Sequence, residues 1–202
     1  MRKLLFVIVS IFAILIGAYP LIYVFVEHKN TFLGSKAPEL LGSIIWKTAF
    51  FAHITFSGIA LFIGWRQFGS KFRNHYLKLH RIIGKIYVIS AVIGSTSGIY
   101  IGFYANGGAI SAAGFILLGS IWLLMTLVAV AEIRKNNIII HQKLMTYSYS
   151  CAFAAVTLRL WYPLLVKITE DPGASYIAVA WLCWIPNVLI AYFINKIFHR
   201  KV

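Results

Sequence analysis

Acidic residues are scarce in this sequence. Asp and Glu number five among 202 residues, and charged residues of both signs make up 12% of the chain. A water-soluble domain carries about a quarter of charged residues, so a soluble fold is not expected. Because no two acids are paired inside an apolar stretch, hydrolysis by paired carboxylates and ion antiport of the usual carboxylate kind are also disfavoured.

Cysteine is nearly absent, and the spacings that mark common catalytic or metal sites are missing. Cys151 and Cys183 both fall in apolar stretches, which favours two small buried hydrophobic residues over a disulfide. The sequence has no Cys/His zinc spacing, no glycine-rich phosphate loop and no hydrolase pattern of Ser and His. Zinc, nucleotide and hydrolase chemistry are therefore not expected.

Apolar residues dominate what remains. The chain is 60% hydrophobic and 16% aromatic, with a mean hydropathy of +0.82. Each of six apolar runs is long enough to cross about 30 Å of hydrocarbon as a helix. We therefore predict an all-α membrane bundle of six transmembrane helices in one domain, residues 1–202, with helices near residues 4–26, 41–65, 82–104, 112–133, 144–166 and 176–197.

The basic residues indicate how the bundle is oriented. The net charge is +14, and most of the 19 Lys and Arg residues fall in segments that lie on one side of the predicted helices. Because such residues are retained in the cytoplasm, we predict that both termini are cytoplasmic and that the chain lies in a bacterial plasma membrane. A nucleic-acid partner is not expected, because these charges sit in loops beside the lipid bilayer.

Histidine is the main candidate for chemistry. His28, His75 and His199 lie in or beside polar loops and are expected to be solvated. His53 lies well inside the second apolar run, and an ionisable side chain there is by default a functional hypothesis. The alternative is a neutral imidazole that bonds a neighbouring Ser, Thr or Tyr.

Two further histidines lie at the same predicted depth. His80 opens the third helix and His141 precedes the fifth, and both helices run outward from the cytoplasm. On neighbouring helices they would ligate haem iron from opposite sides, with Arg81 or Lys143 near the propionates. The alternative is two interfacial histidines that touch lipid headgroups.

Arg159 lies within the apolar run of residues 152–165, and no carboxylate falls inside a predicted helix at its depth. Either it extends outward to the interface beside Trp161 and Tyr162, or it binds an anionic or polar group. A haem propionate, a quinone oxygen and a lipid phosphate are the candidates for that group.

Five segments resemble the bacterial membrane family known as domain of unknown function 2306. They are residues 51–58 with His53, residues 64–68, residues 80–87 with His80 and Arg81, residues 141–145 with His141, and residues 157–161 with Arg159. The resemblance covers roughly residues 45–165. It implies that His53, His80, Arg81, His141 and Arg159 belong to one site.

A looser similarity is to membrane haem proteins of the cytochrome b-561 and ferric reductase type. That similarity implies a haem b held between histidines of neighbouring helices. Because residues 112–133 contain no His, one haem on His80 and His141 fits better than two. Three functions stay open: a redox protein with quinone or another membrane redox protein as partner, a carrier for a small or lipidic ligand, and an assembly factor of a membrane complex.

Overall fold

The computed structural model describes residues 2–27 and 31–198, and this part of the chain contains helices and no strand. The predicted all-α class is therefore confirmed. His28 and His199 lie outside the described residues, and His75 is exposed. The α-helices are α1 (Arg2–Gly17), α2 (Ile22–Phe25), α3 (Pro38–Gly42), α4 (Ile44–Gly64), α5 (Ser70–His75), α6 (Leu77–Gly102), α7 (Gly108–Arg134), α8 (Ile138–Ala152), α9 (Ala154–Thr169), α10 (Pro172–Leu182) and α11 (Ile185–Phe198).

Six segments are long and apolar enough to cross a membrane, which confirms the predicted number. In order, spans 1 to 6 are Phe6–Phe25, Ile44–Phe68, Leu77–Gly102, Gly108–Arg134, Ile138–Thr169 and Pro172–Ile197. Spans 3 and 5 begin earlier than the predicted residues 82 and 144. The first turns of these two helices carry Lys, His and Arg, so a hydropathy criterion leaves them out of the apolar run. The backbone is nevertheless helical there, with its hydrogen bonds formed within the helix.

Sequential spans pack side by side. α4 packs on α6, α6 on α7, and α7 on α8, while α1 packs on α4 and α9 on α10. Further contacts of α1 with α9, and of α10 with α7, close the arrangement into a ring. We call the end where spans 1, 3 and 5 finish the upper end, and the opposite end the lower end. The predicted orientation, which makes the upper end extracytoplasmic, stays a prediction.

Glycines set the closest helix approaches. Gly94, Gly98 and Gly102 recur every fourth residue on α6, so they share one face. A Cβ at Gly94 would lie 2.6 Å from Ser57 Oγ on α4, and one at Gly58 would lie 2.7 Å from the carbonyl oxygen of Gly17. Small residues let membrane helices pack closely where hydrophobicity alone cannot drive association.

Spans 5 and 6 are interrupted, and one side chain joins their breaks. Span 5 breaks between α8 and α9, and span 6 breaks between α10 and α11. Asn187 Nδ2 lies 2.9 Å from the carbonyl of Cys183, 3.0 Å from Thr157 Oγ1 and 3.3 Å from the carbonyl of Ser150. The Thr157 hydroxyl also donates to the carbonyl of Cys183. Backbone groups freed by the breaks thus find partners inside the bundle.

A buried polar network crosses the middle of the bundle. Tyr87 Oη lies 2.8 Å from Ser148 Oγ, which lies 2.7 Å from Thr126 Oγ1. Trp122 Nε1 donates to Tyr87 Oη at 3.5 Å. The two cysteines are free and buried, as the sequence predicted. By contrast, many large hydrophobic side chains are exposed along the spans, such as Val24, Ile89 and Leu124, and this surface suits a lipid bilayer.

Candidate functional site

A cavity of about 500 Å³ occupies the upper half of the bundle, and all six spans contribute to it. Its volume falls within the range of small-molecule sites, about 300 to 1,000 Å³. Among the residues that the structure describes, its lining includes no Asp or Glu. The polar and charged lining residues include Lys36, His53, Ser57, Ser95, Asn106 and Arg159, and the aromatic ones include Tyr19, Tyr23, Trp46, Phe50, Phe115, Trp122, Tyr162 and Tyr176.

A hydrogen bond to the backbone of α6 holds the His53 ring against that helix. Its Nδ1 lies 2.8 Å from the carbonyl oxygen of Gly94, whereas Ser57 Oγ lies 3.4 Å away. A carbonyl can only accept, so Nδ1 carries the proton, and Nε2 of the neutral ring is left as an acceptor. Among the described residues Nε2 has no hydrogen-bond partner. The predicted alternative, a neutral imidazole bonded to a neighbouring hydroxyl, agrees with the Ser57 contact, but the shorter bond goes to the backbone of Gly94.

Arg159 turns into the cavity instead of extending to the interface. Its Nη1 donates to the carbonyl of Ala155 at 2.8 Å, one turn nearer the middle of span 5. Its Cζ lies 4.2 Å from the centre of the Tyr19 ring, a cation–π contact that links spans 1 and 5. No carboxylate of the described residues forms an ion pair with Arg159. This placement differs from the predicted extension to the interface, and binding of a polar or anionic group by Arg159 stays a prediction.

His53 and Arg159 face the same space. Both line the cavity, and the guanidinium lies within electrostatic range of the imidazole. Tyr23 also lies within electrostatic range of Arg159. The site therefore offers a fixed cation with spare N–H donors and an imidazole acceptor, surrounded by aromatic walls.

Lys36 lies at the mouth of the cavity and was not among the predicted site residues. Its Nζ donates to the carbonyl of Tyr104 at 2.7 Å and to Asn106 Oδ1 at 2.8 Å, and lies 4.9 Å from the centre of the Phe32 ring. The residue is only 9% exposed, and burial lowers the pKa of its ammonium to about 8. The sequence could not predict this contact, because the hydrogen-bond partners of Lys36 lie in the loop between spans 3 and 4, far away in the chain.

His80 and His141 lie at the lower end. His141 Nδ1 lies 2.8 Å from the carbonyl of Ala129, and His80 lies within electrostatic range of His141 and Arg81. In the described part of the chain, His80 Nδ1 is buried without a hydrogen-bond partner, and so is Gln67 Nε2. The described residues also contain no group of three or more His, Cys, Asp or Glu that would hold a metal ion.

The five predicted site residues therefore fall into two groups rather than one. His53 and Arg159 share the upper cavity, whereas His80, His141 and Arg81 lie near the lower end. At 1.5 Å per residue, the distance along α6 from His80 to Gly94, which holds His53, is about 21 Å. The expectation of a single site, which came from the family resemblance, is not met by this arrangement.

The family described as "Predicted membrane protein (DUF2306)" matches residues 50–195, well over half of the chain. The chain belongs to the DUF2306 family. It is an integral membrane protein on this match and on its six apolar spans. Neither a curated protein nor a solved structure matches it.

The match to DUF2306 covers part of the residues that form the site. The matched residues include His53, Arg159 and the lower pair His80 and His141. Two residues of the site lie before the first matched residue. They are Lys36, at the mouth of the cavity, and Tyr19, whose ring contacts Arg159. The central polar groups thus belong to the DUF2306 region, whereas the mouth is built partly from residues outside it.

Proposed function

We propose that this chain is a membrane-embedded carrier that binds an amphipathic small molecule with an anionic group and an apolar, alkyl or aromatic body. The observation that supports the proposal most is the position of Arg159. It is a cation at the wall of an apolar cavity, without a carboxylate partner among the described residues. A cation within the membrane is costly, and such residues commonly mark a ligand path.

The chemistry of a guanidinium fits a carboxylate or phosphate. Arg159 has five N–H donors, and the structure records one side-chain hydrogen bond for it, to the carbonyl of Ala155. The remaining donors would bind two oxygens of an anion side by side. Because the cavity walls are apolar, such a charge-assisted bond is stronger there than in water.

His53 adds a second requirement. With Nδ1 committed to Gly94, its Nε2 accepts a hydrogen bond, so the preferred ligand carries a hydroxyl or N–H donor near its anionic group. The aromatic walls suit a planar or hydrocarbon body. A quinone would satisfy Arg159 as a neutral acceptor, and it is the competing ligand that the experiment must distinguish.

The interrupted spans support movement of the ligand rather than storage. Ala152, Ala154 and Cys183, which flank the breaks of spans 5 and 6, all line the cavity. Transporters commonly form their substrate sites from discontinuous helices near the middle of the membrane. We further propose that the protein works in a bacterial plasma membrane, with the cavity opening away from the cytoplasm.

Native mass spectrometry of protein purified in lipid nanodiscs tests this proposal, with extraction and identification of the retained small molecule. We expect an anionic amphiphile on the wild type and about a tenfold lower occupancy in Arg159→Gln. Lys47→Gln, which removes an exposed cation of α4 outside the cavity, is the matched control. Equal occupancy in Arg159→Gln, or a quinone as the retained molecule, would contradict the proposal.

A second candidate is a haem-binding redox protein that uses the lower histidines. The bond from His141 Nδ1 to Ala129 leaves Nε2 free, as in histidines that ligate metals, and His80 Nδ1 has no partner within the described residues. His80 and His141 would hold haem b, Arg81 or Lys143 would face its propionates, and the haem would supply one-electron transfer to quinone or another redox protein. Wild-type protein without Soret absorbance after haem addition would exclude this function.

A further inference from the structure

We infer that Lys36 is a second recognition residue for the anionic group, and that the ligand enters the cavity from the aqueous side, past Lys36. This inference rests on the proposed function, because it concerns the route to the same cavity. Lys36 belongs to a segment that lies outside the matched family region.

Lys36 stands between two spaces. A surface pocket of about 580 Å³ lies outside the cavity, and Lys36, Ala105 and Asn106 line both. The contact of Lys36 with Asn106 is thus part of the wall that separates the outer pocket from the inner cavity. A ligand that passes from the outer pocket to the cavity at this place would have to move that contact.

The segment that carries Lys36 forms part of the cavity wall at its mouth. Residues Phe32–Ser35 form a short 3-10 helix, in which Leu33 is buried against Trp46 and Phe50. Toward the loop between spans 3 and 4, its side-chain bonds are those of Lys36 to Tyr104 and Asn106, and that of Asn106 Nδ2 to Ser35 Oγ at 3.2 Å. These few bonds are what an entering ligand would have to displace.

The charge of Lys36 has no anionic partner among the described residues, since its cation–π contact is with the neutral ring of Phe32. Both hydrogen-bond acceptors are neutral, and Glu39, which lines the outer pocket, forms no ion pair with it. A buried cation with neutral partners is costly to keep. Because an ammonium has three donors and two are used here, an anionic oxygen can add to the third or replace Asn106 with a stronger bond.

Stopped-flow fluorescence tests the inference with 12-bromododecanoate as the probe. Its bromine quenches the cavity residues Trp46 and Trp122, and empty nanodiscs and the uncharged 12-bromododecanol correct for partition into lipid. We expect Lys36→Gln to slow association about five- to tenfold and to weaken its salt dependence, because the charge steers the anion inward. Lys36→Arg keeps the charge and should stay within about twofold of the wild type.

Two further variants make the outcome decisive. Asn106→Asp places a carboxylate beside Lys36 without removing it, and we expect it to slow association even if Lys36→Gln misfolds. Lys47→Gln removes an exposed cation of α4 that lies outside the cavity lining, and should leave association unchanged. If Lys36→Gln and Asn106→Asp both associate at the wild-type rate while Arg159→Gln binds weakly, the inference is wrong and the proposed function stands. If the wild type itself shows no quenching beyond that of empty nanodiscs, the proposed function fails.

Discussion

The imidazole of His53 rests on Gly98, and a Cβ atom at that position would lie 2.7 Å from Nδ1. His53 is on α4, whereas the space that its ring occupies lies against Gly98 of α6. The absence of a side chain at Gly98 therefore determines where the acceptor nitrogen of the cavity lies. This dependence can be tested without changing His53.

Gly98→Ala should displace the His53 ring and break its bond to Gly94. We expect ligand affinity to fall about tenfold and the free energy of unfolding to fall by about 1–3 kcal/mol, as in overpacked interiors. Gly84→Ala is the control on the same helix, because a Cβ there would meet Gln67 Oε1 at an ordinary 3.7 Å. Binding measurements and thermal unfolding in detergent would show the difference, and equal affinity in both variants would refute this account of the ring.

Tyr19 is expected to position Arg159 through its ring rather than its hydroxyl. The guanidinium lies over the ring at 4.2 Å, and such contacts stabilise by about 0.5–2 kcal/mol. Tyr19→Phe should keep wild-type affinity for an anionic ligand, whereas Tyr19→Leu should weaken it about three- to tenfold. A titration of the three proteins with 12-bromododecanoate checks this, and the same loss in Tyr19→Phe would point to the hydroxyl instead.

Association of an anion should slow as the pH rises through about 8, where Lys36 loses its proton. Lysine is charged below its pKa, so raising the pH removes the steering charge and cannot add one. Glu39 and Tyr104 are the other titratable residues that line the outer pocket. Stopped-flow rates between pH 6.5 and 9.5 measure the effect, and Lys36→Arg, which stays charged, should give a flat profile.

The same shift predicts how stability depends on pH. Between about 8 and the ordinary value of 10.5, the unfolded chain holds a proton on Lys36 that the folded chain has released. Stability therefore rises with pH across this window, as far as this group is concerned. Lys36→Gln should remove that contribution, and unfolding curves at pH 7.5 and 9.5 for both proteins would show it.

Asn187 should contribute more to stability than Asn195, a second buried asparagine of the same helix. Asn187 Nδ2 lies within bonding distance of three acceptors at the breaks of spans 5 and 6, whereas within the described part of the chain Asn195 Nδ2 bonds one, the carbonyl of Lys143. We expect Asn187→Ala to cost about 1–3 kcal/mol and Asn195→Ala about 0.6 kcal/mol. Thermal unfolding in one detergent compares them, and an equal loss would contradict the role of Asn187 in joining the breaks.

Hydropathy predicted the six spans because the bilayer forces each crossing to be both apolar and helical. It missed the first turns of spans 3 and 5, since polar residues such as His80 and His141 lie within those helices and lower the local hydropathy. It also singled out His53 and Arg159, which the structure places on one cavity. Hydropathy could not predict the distances between residues of different spans. The contact of Lys36 with Asn106, and the separation of His53 from His80, depend on how helices remote in sequence pack.

The glycine face of α6 also bears on how ligand preference would evolve. Gly98 and Gly102 both line the cavity, and an added Cβ atom would lie 2.7 Å from His53 Nδ1 at the first position and 3.0 Å from Ile116 Cγ1 at the second. An alanine at either position would therefore displace a side chain of a neighbouring helix, the His53 ring on α4 or Ile116 on α7, while leaving Arg159 unchanged. Members of the family that differ at these two positions are therefore expected to select ligands of different size while keeping the same preference for charge.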